Sequence, residues 1–391
     1  MLSAPSSDSL SSMSDDESSL KNNIPIIGDN KLHVYPTDTG SSSGSRHEVL
    51  HLKRFTGKLV VSIYKLIGRL SGLDVDCFCT IEVDGESKAT TNLRRIKEVV
   101  NFNESFEIEL QEAAVLTFHI YHKHGRKQNK LASQSDIHLE KIIGSVDNEG
   151  QLSATECKKK LLLGTTANNV QMRVKVDFTA AETYIMRSPS LRQNGVFGFN
   201  LAKTLCREEN TIPVLVRKCV EEVEKRALDM TGIYRISGNA RIKKQLRAEF
   251  EENSHAVDVS REDVSCHVLA GILKDYLREL PNPLISQAMY QNIYSGASFK
   301  NKNQNNLLRE LIQKLPYTNR ATLIYLMDHL KRVSARSEVN KMTNQNLAVC
   351  FGPVMMSSPL EAEEMLDFKK QVDALEFLLN IWPVSDEQEG L

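Results

Sequence analysis

Residues 211–228 read TIPVLVRKCVEEVEKRAL. Ile212, Leu215, Val216, Cys219, Val220 and Val223 fall at i, i+3, i+4, i+7, i+8 and i+11, the spacing that gathers apolar side chains on one face of an α-helix. Thr211 is placed to cap the first turn, and Pro213 is tolerated there because its missing N–H would have no helical partner. More helices are predicted at about 240–251, 263–280, 305–315, 319–334, 342–351 and 361–381, parted by Pro, Asn or Gly. Residues 195–384 therefore suit one compact all-α domain, and 385–391 form an acidic tail.

Toward the N-terminus the pattern changes. TYIMRSPSLRQN lies in a segment, 181–194, that reads as a linker. Before it the period is two: Leu59, Val61 and Ile63 alternate with Val60, Ser62 and Tyr64, and Phe106, Ile108 and Leu110 with Ser105, Glu107 and Glu109. Val170, Met172, Val174, Val176 and Phe178 close the series. Such alternation puts each set on one sheet face. With further candidates at 77–83, 115–121 and 137–143, the expectation for 53–180 is an antiparallel β-sandwich. Residues 1–52 are Ser-rich with few large apolar side chains and read as a disordered arm, in which only the IPII run at 24–27 is suited to docking.

Of the 391 residues, 49 are Lys or Arg and 50 Asp or Glu, a formal net charge of −1. This disfavours a uniformly basic nucleic-acid binder. The balance conceals a separation, because residues 51–358 carry 44 basic against 34 acidic side chains while both ends are acidic. The start lacks a secretory pattern and no apolar run is long enough to span a bilayer. The seven cysteines form no paired framework, which points to a reduced cytoplasmic setting. Cys77 and Cys79 read as same-face strand residues rather than ligands, and no metal site is assigned.

Three segments of the helical half are unusual for a plain bundle. In GIYRISG, 232–238, Arg235 sits on a loop framed by glycines, free to extend from the surface; taken alone, the motif reads more readily as an ordinary solvated arginine. In LKDYLRELPNPLI, 273–285, Lys274 and Arg278 share one helical face while Ile272, Tyr276 and Leu280 line another, so the two cations are presented rather than buried. In NKMTNQNLAVCFGPV, 340–354, Asn346 falls within an apolar helical pattern that Gly352 and Pro353 are expected to end, and its amide must face a partner or be satisfied internally.

In this order and spacing, the three segments resemble the Rho-family GTPase-activating (RhoGAP) domain. The resemblance implies that Arg235 is the catalytic arginine finger, and that Lys274, Arg278, Asn346 and Pro353 face the bound GTPase. It implies a Rho, Rac or Cdc42-type GTPase as partner. This chain has no GxxxxGK[ST] loop, so GTP, Mg²⁺ and the attacking water are expected to belong to that partner; no cofactor and no independent NTPase activity are expected here.

KLVVSIYKLIGRLSGLDVDCFCTIEVDG, 58–85, and NFNESFEIEL, 101–110, resemble the first and middle strands of a C2 domain. Calcium binding needs carboxylates converging from several loops. The first loop offers only Asp74 and Asp76, and YHKHGRKQNKLASQS, 121–135, holds Lys123, Arg126, Lys127 and Lys130 with no acid, so calcium-independent behaviour is expected. The basic loop reads either as a contact for an anionic membrane or acidic protein, or as a solvated loop. The order of the two domains, with GILKDYLREL, RATLIYLMDHLKRVS and NQNLAVCFGPV, is similar to the synapse-defective group of RhoGAP proteins. That likeness implies a cytoplasmic protein peripheral at the plasma membrane or presynaptic terminal, and a short form or fragment of a longer chain. The rival reading is a noncatalytic GTPase-binding scaffold in synaptic or cytoskeletal assembly.

Overall fold

The computed structural model describes residues 26–27, 53–68, 75–123, 129–144, 156–164, 170–184, 194–286, 289–290, 293, 304–356 and 368–383. Most of the expected arm and all of the acidic tail lie outside them.

Strands β1 (Ile26–Ile27), β2 (Phe55–Ile67), β6 (Val99–Ala113), β9 (Glu156–Gly164) and β10 (Gln171–Ala180) form one sheet, in the order β1-β9-β10-β2-β6. The other has the order β4 (Glu86–Thr90), β3 (Asp76–Val83), β7 (Val115–Lys123), β8 (Lys130–His138), with β5 (Arg94–Arg95) also paired to β3. Alternation does the folding: Leu59, Val61, Ile63, Ile108, Phe118, Ile120 and Phe178 all point into a single cluster between the sheets. Cys77 and Cys79 lie in that cluster on one face of β3, as expected. Burial pushes the Cys77 thiol up to about 11, and Cys79 rises as well.

Three features depart from expectation. One pairing is parallel, because Ile26 and Ile27 of the IPII run add beside Leu162 and Leu163 of β9. The expected strand at 137–143 ends at His138, and Leu139–Ile143 forms a short helix, α1. Its buried residues Leu139, Ile142 and Ile143 fall at i, i+3 and i+4, the helical spacing. The expected linker begins as another short helix, α2 (Ala181–Tyr184), continuous with the last strand.

The second half is helical. Its elements are α3 (Leu201–Glu208), α4 (Val214–Ala227), α5 (Ala240–Asn253), α6 (Cys266–Glu279), α7 (Gln304–Gln313), α8 (Tyr317–Ser334), α9 (Ser337–Asn340), α10 (Asn344–Met356) and α11 (Phe368–Ile381). One cluster joins them, with Val216 and Val220 of α4, Phe250 of α5, Leu273 and Tyr276 of α6, Leu330 of α8, Phe351 of α10 and Leu378 of α11. Thr211 does not cap α4. The capping position is Pro213, which has no side-chain acceptor, and the Val214 N–H donates instead to Glu208 Oε2 at 2.8 Å. A carboxylate brought from α3 does the work that the local sequence assigned to a hydroxyl.

Helix α10 also runs past its expected end. Pro353 lies inside it, since Phe351, Val354, Met355 and Met356 are all buried and hold the chain helical. Proline cannot donate to the carbonyl four residues back. That carbonyl, on Val349, accepts from Gln111 Nε2 of β6 at 3.3 Å.

Candidate functional site

The loop between α4 and α5 turns on two residues of positive φ. Gly232 has φ 70°, and a Cβ there would come within 2.7 Å of Ile236 Cδ1. Its N–H donates to the Asn340 carbonyl at 2.8 Å, and its own carbonyl accepts from Arg235 and Ile236. Tyr234 has φ 72°, a conformation costly for a bulky side chain that persists only where the surroundings over-determine it. Those surroundings are visible: the ring is 1% exposed, packs edge-on to Phe351, and its hydroxyl meets His329 Nε2 at 2.5 Å. His329 Nδ1 in turn meets Glu224 Oε1 at 2.7 Å, and Arg332 donates to the same oxygen at 2.8 Å. With residue 234 anchored inward, the next side chain, Arg235, is directed outward.

Burial lowers the His329 pKa, with Glu224 opposing it in part, and burial brings His267 of α6 down to about 4. Below the ordinary value of 6.5 the unfolded chain takes up these protons while the folded chain does not. Stability should therefore fall as pH drops from about 6.5 toward 4. Thermal melting at pH 7 and pH 5 checks this: a melting temperature that holds or rises at pH 5 contradicts it, and His267→Gln should flatten the dependence.

Lys274 and Arg278 lie one turn apart on α6, and Ile272, Tyr276 and Leu280 are buried on the other side, as the pattern predicts. The expectation that the cations are presented to solvent fails. Their side chains are 12% and 11% exposed because Glu109 of β6 covers both: Lys274 Nζ lies 3.5 Å from Glu109 Oε2, and Arg278 Nη2 bonds Oε1. Burial alone would raise the Glu109 pKa, but Lys274 and Arg278 overcome it and hold the carboxyl down to about 2. Arg235 is likewise covered, its Nη1 2.7 Å from Glu86 Oε1.

Pro353 lies beside this group. Together with Arg278, Val349 and Cys350 it lines a crevice whose opposite wall is Glu109, Leu110 and Gln111 of β6. Asn346 is bonded to its own helix start, with Nδ2 donating to the Lys341 carbonyl at 2.8 Å and its N–H to Thr343 Oγ1. Lys123 and Lys130 are exposed at the facing ends of β7 and β8, while Arg126 and Lys127 lie outside the described residues. Asp76 pairs with Arg95 at 3.7 Å; Asp74 is outside the described residues.

Two participants were not anticipated. Lys243 of α5 joins the basic group, with Nζ 2.5 Å from Glu107 Oε2 and 2.7 Å from Asp275 Oδ2. Asn340 is fully buried behind the loop. Its Nδ2 donates to the carbonyls of Leu228 and Val333, both at 2.8 Å, and its Oδ1 accepts from Met342 N–H. Asn340 opens the third unusual segment, so its position was in view, but nothing in the local sequence distinguishes a buried hub from a capping residue.

The RhoGAP domain pattern matches residues 213–360, and the C2 domain pattern residues 57–155. The chain is 36% identical over 296 residues to the breakpoint cluster region protein of Rattus norvegicus, covering 74% of this chain and 23% of that protein. It is 33% identical over 330 residues to Rho GTPase-activating protein SYDE1 of the same species, covering 79% of this chain and 43% of the relative. The chain thus spans less than half of either relative's length. The crystal structure of human Rho GTPase activating protein 15 aligns with 50% of this chain and all of its own, at 32% identity and a TM-score of 0.44. The two pattern matches agree with the helical half and the sandwich before it: this chain carries a C2 domain followed by a RhoGAP domain.

Proposed function

We propose that the chain accelerates GTP hydrolysis by a Rho, Rac or Cdc42-type GTPase, with Arg235 completing the partner's active site. The observation that carries this reading is the anchored loop, in which the buried Tyr234 and the Asn340–Gly232 hydrogen bond turn Arg235 outward toward the side on which Lys274, Arg278 and Pro353 lie. As the γ-phosphoryl group leaves, charge builds on its oxygens and on the bridging oxygen. A guanidinium offers a planar fork of donors to two oxygens at once and excludes water. Lys274 and Arg278 attract and orient the acidic surface of the partner. The nucleotide, Mg²⁺ and water come with the GTPase, and this chain supplies only the trans contribution. Single-turnover hydrolysis across a panel of Rho-family GTPases tests the reading; binding without acceleration of any of them would make the chain a scaffold.

The C2 domain serves as a calcium-independent contact with an anionic surface. Asp76 is already paired with Arg95, and its register partner on β7 is Lys123, an environment that disfavours a divalent cation. Lys123 and Lys130 are the nearest strand residues on either side of Arg126 and Lys127 in the sequence, which add two charges. Each cation near an anionic leaflet contributes about 1 kcal/mol. Replacing Lys123, Arg126 and Lys127 by Glu should lower co-sedimentation with phosphatidylserine vesicles at least tenfold in calcium-free buffer, and unchanged co-sedimentation would mark the loop as merely solvated. No described helix is long and apolar enough to cross a membrane.

A further inference from the structure

The cations assigned above to the GTPase, and Lys243 beside them, are already occupied. Glu86 of β4 takes Arg235, Glu107 of β6 takes Lys243, and Glu109 of β6 takes Lys274 and Arg278. Gln111, further along β6, takes the Val349 carbonyl that Pro353 leaves free. Glu107 and Glu109 alternate with the buried Phe106, Ile108 and Leu110, so they lie on the outward face of the sheet. Such a face is normally solvated. Here the side chains of both glutamates are 29% exposed because the helical domain lies against them.

The main chain joins the same contact. Ser237 N–H donates to the Lys88 carbonyl at 2.7 Å, and Ser237 Oγ donates to the Glu107 carbonyl at 2.5 Å. Bridges form between Ala89 and Ser237 and between Phe106 and Asn239. The segment that immediately follows the finger is thus laid between β4, at the margin of one sheet, and β6, at the margin of the other.

We infer that the C2 domain is a built-in competitor for the GTPase: the acidic ridge Glu86, Glu107 and Glu109 holds the finger and its basic neighbours, and activation requires the two domains to part. This rests on the activator reading of Arg235. A carboxylate and a phosphoryl oxygen ask the same thing of a guanidinium, and one guanidinium cannot serve both. The contacts named are ionic or main-chain, of a kind that water and salt can replace, so the docked arrangement is separable. If only a small fraction of molecules is open, apparent affinity for the GTPase falls by that fraction.

The test uses the full chain with Glu86→Lys, Glu107→Lys and Glu109→Lys combined, and separately with the three isosteric Gln substitutions. The glutamates are outside the sandwich core, and the Gln set preserves shape should the reversal misfold. Two readouts are needed: amide hydrogen exchange at Ser237, which does not depend on any GTPase, and single-turnover GTP hydrolysis by the GTPase panel. Losing the charge-assisted pairs together shifts the equilibrium by about tenfold or more. Exchange at Ser237 should rise and hydrolysis should accelerate at least about tenfold over wild type, less so in the Gln set, and adding Arg235→Ala should remove the gain. Faster exchange with a rate equal to wild type would overturn the competitor, as would no change in either readout. Faster exchange with no acceleration by any form, wild type included, would instead sink the activator reading and the competitor with it.

Discussion

Arg235→Ala should slow GTP hydrolysis in the complex by about 10³- to 10⁵-fold, roughly 4–7 kcal/mol of barrier, with little change in melting temperature. The two halves of that expectation have separate origins. The rate falls because the guanidinium meets charge that develops only in the transition state, and Arg235→Lys should rescue little, since an ammonium lacks the paired planar donors. The fold persists because the loop is held by its neighbours: Tyr234 is buried against Phe351 and His329, and the Gly232 N–H is bound by Asn340. Arg235 itself makes one ion pair, to a glutamate whose side chain is 43% exposed, worth at most about 1 kcal/mol. The rate is best compared in the charge-reversed Glu86, Glu107 and Glu109 background, where docking does not mask the difference. A variant retaining the full rate would remove Arg235 from the chemistry.

Asn340→Ala should be the most destabilising single substitution near the site. The amide is fully buried and makes three hydrogen bonds, to the carbonyls of Leu228 and Val333 and from the N–H of Met342. Truncation takes the partner from the Leu228 carbonyl and the Met342 N–H without access to water, at about 1–3 kcal/mol each, and removes one of two donors from the Val333 carbonyl, which keeps the Arg336 N–H. A total loss of about 3–5 kcal/mol would lower the melting temperature by about 6–20 °C for a domain of this size. Because the Asn340 carbonyl also receives the Gly232 N–H, the finger loop should loosen and the hydrolysis rate should fall with stability. Asn340→Asp keeps the acceptor for Met342 but loses both donations, so it should recover only a minor part. A melting shift below about 2 °C in the Ala variant would show that water replaces the amide.

Local periodicity was enough to place the sandwich and the helical domain, because each of Leu59, Val61 and Ile63, or Leu215, Val216 and Cys219, has its burial decided by its own element. It failed where the partner is distant in the chain. Thr211 seemed the natural cap of α4, yet a carboxylate from α3, Glu208, satisfies the first N–H. Pro353 seemed a terminator, yet buried neighbours carry α10 beyond it. Leu139, Ile142 and Ile143 had a helical spacing that was hidden by the strands on either side. Strand β9, ECKKKLLLG, shows no alternation and is recognisable only from its pairing with β10.

The site divides in the same way. Arg235, Lys274, Arg278 and Pro353 were legible as a set because three short segments coincide in type and spacing, and the fold brings all of them to one side of the helical domain. Their exposure was not legible. Nothing in GIYRISG or LKDYLREL hints that glutamates some 150 positions earlier cover these cations, since Glu86 and Arg235 are separated by 149 residues and Glu109 and Arg278 by 169. Lys243 was not legible because it is one of four basic residues on α5 and carries no local mark.

The segment Ser237–Asn239 also does something for the sandwich that has nothing to do with nucleotide. By bridging to Ala89 of β4 and to Phe106 of β6 it covers part of two strand margins whose N–H and C=O groups would otherwise lie bare. Bare margins recruit strands from other chains. Parting of the domains, as inferred above, would therefore carry a colloidal hazard: an open molecule that finds no GTPase would offer those uncovered borders to its own kind. The charge-reversed protein should remain dispersed longer than the Gln-substituted one at equal concentration, because lysines at those borders repel neighbours that amides would admit.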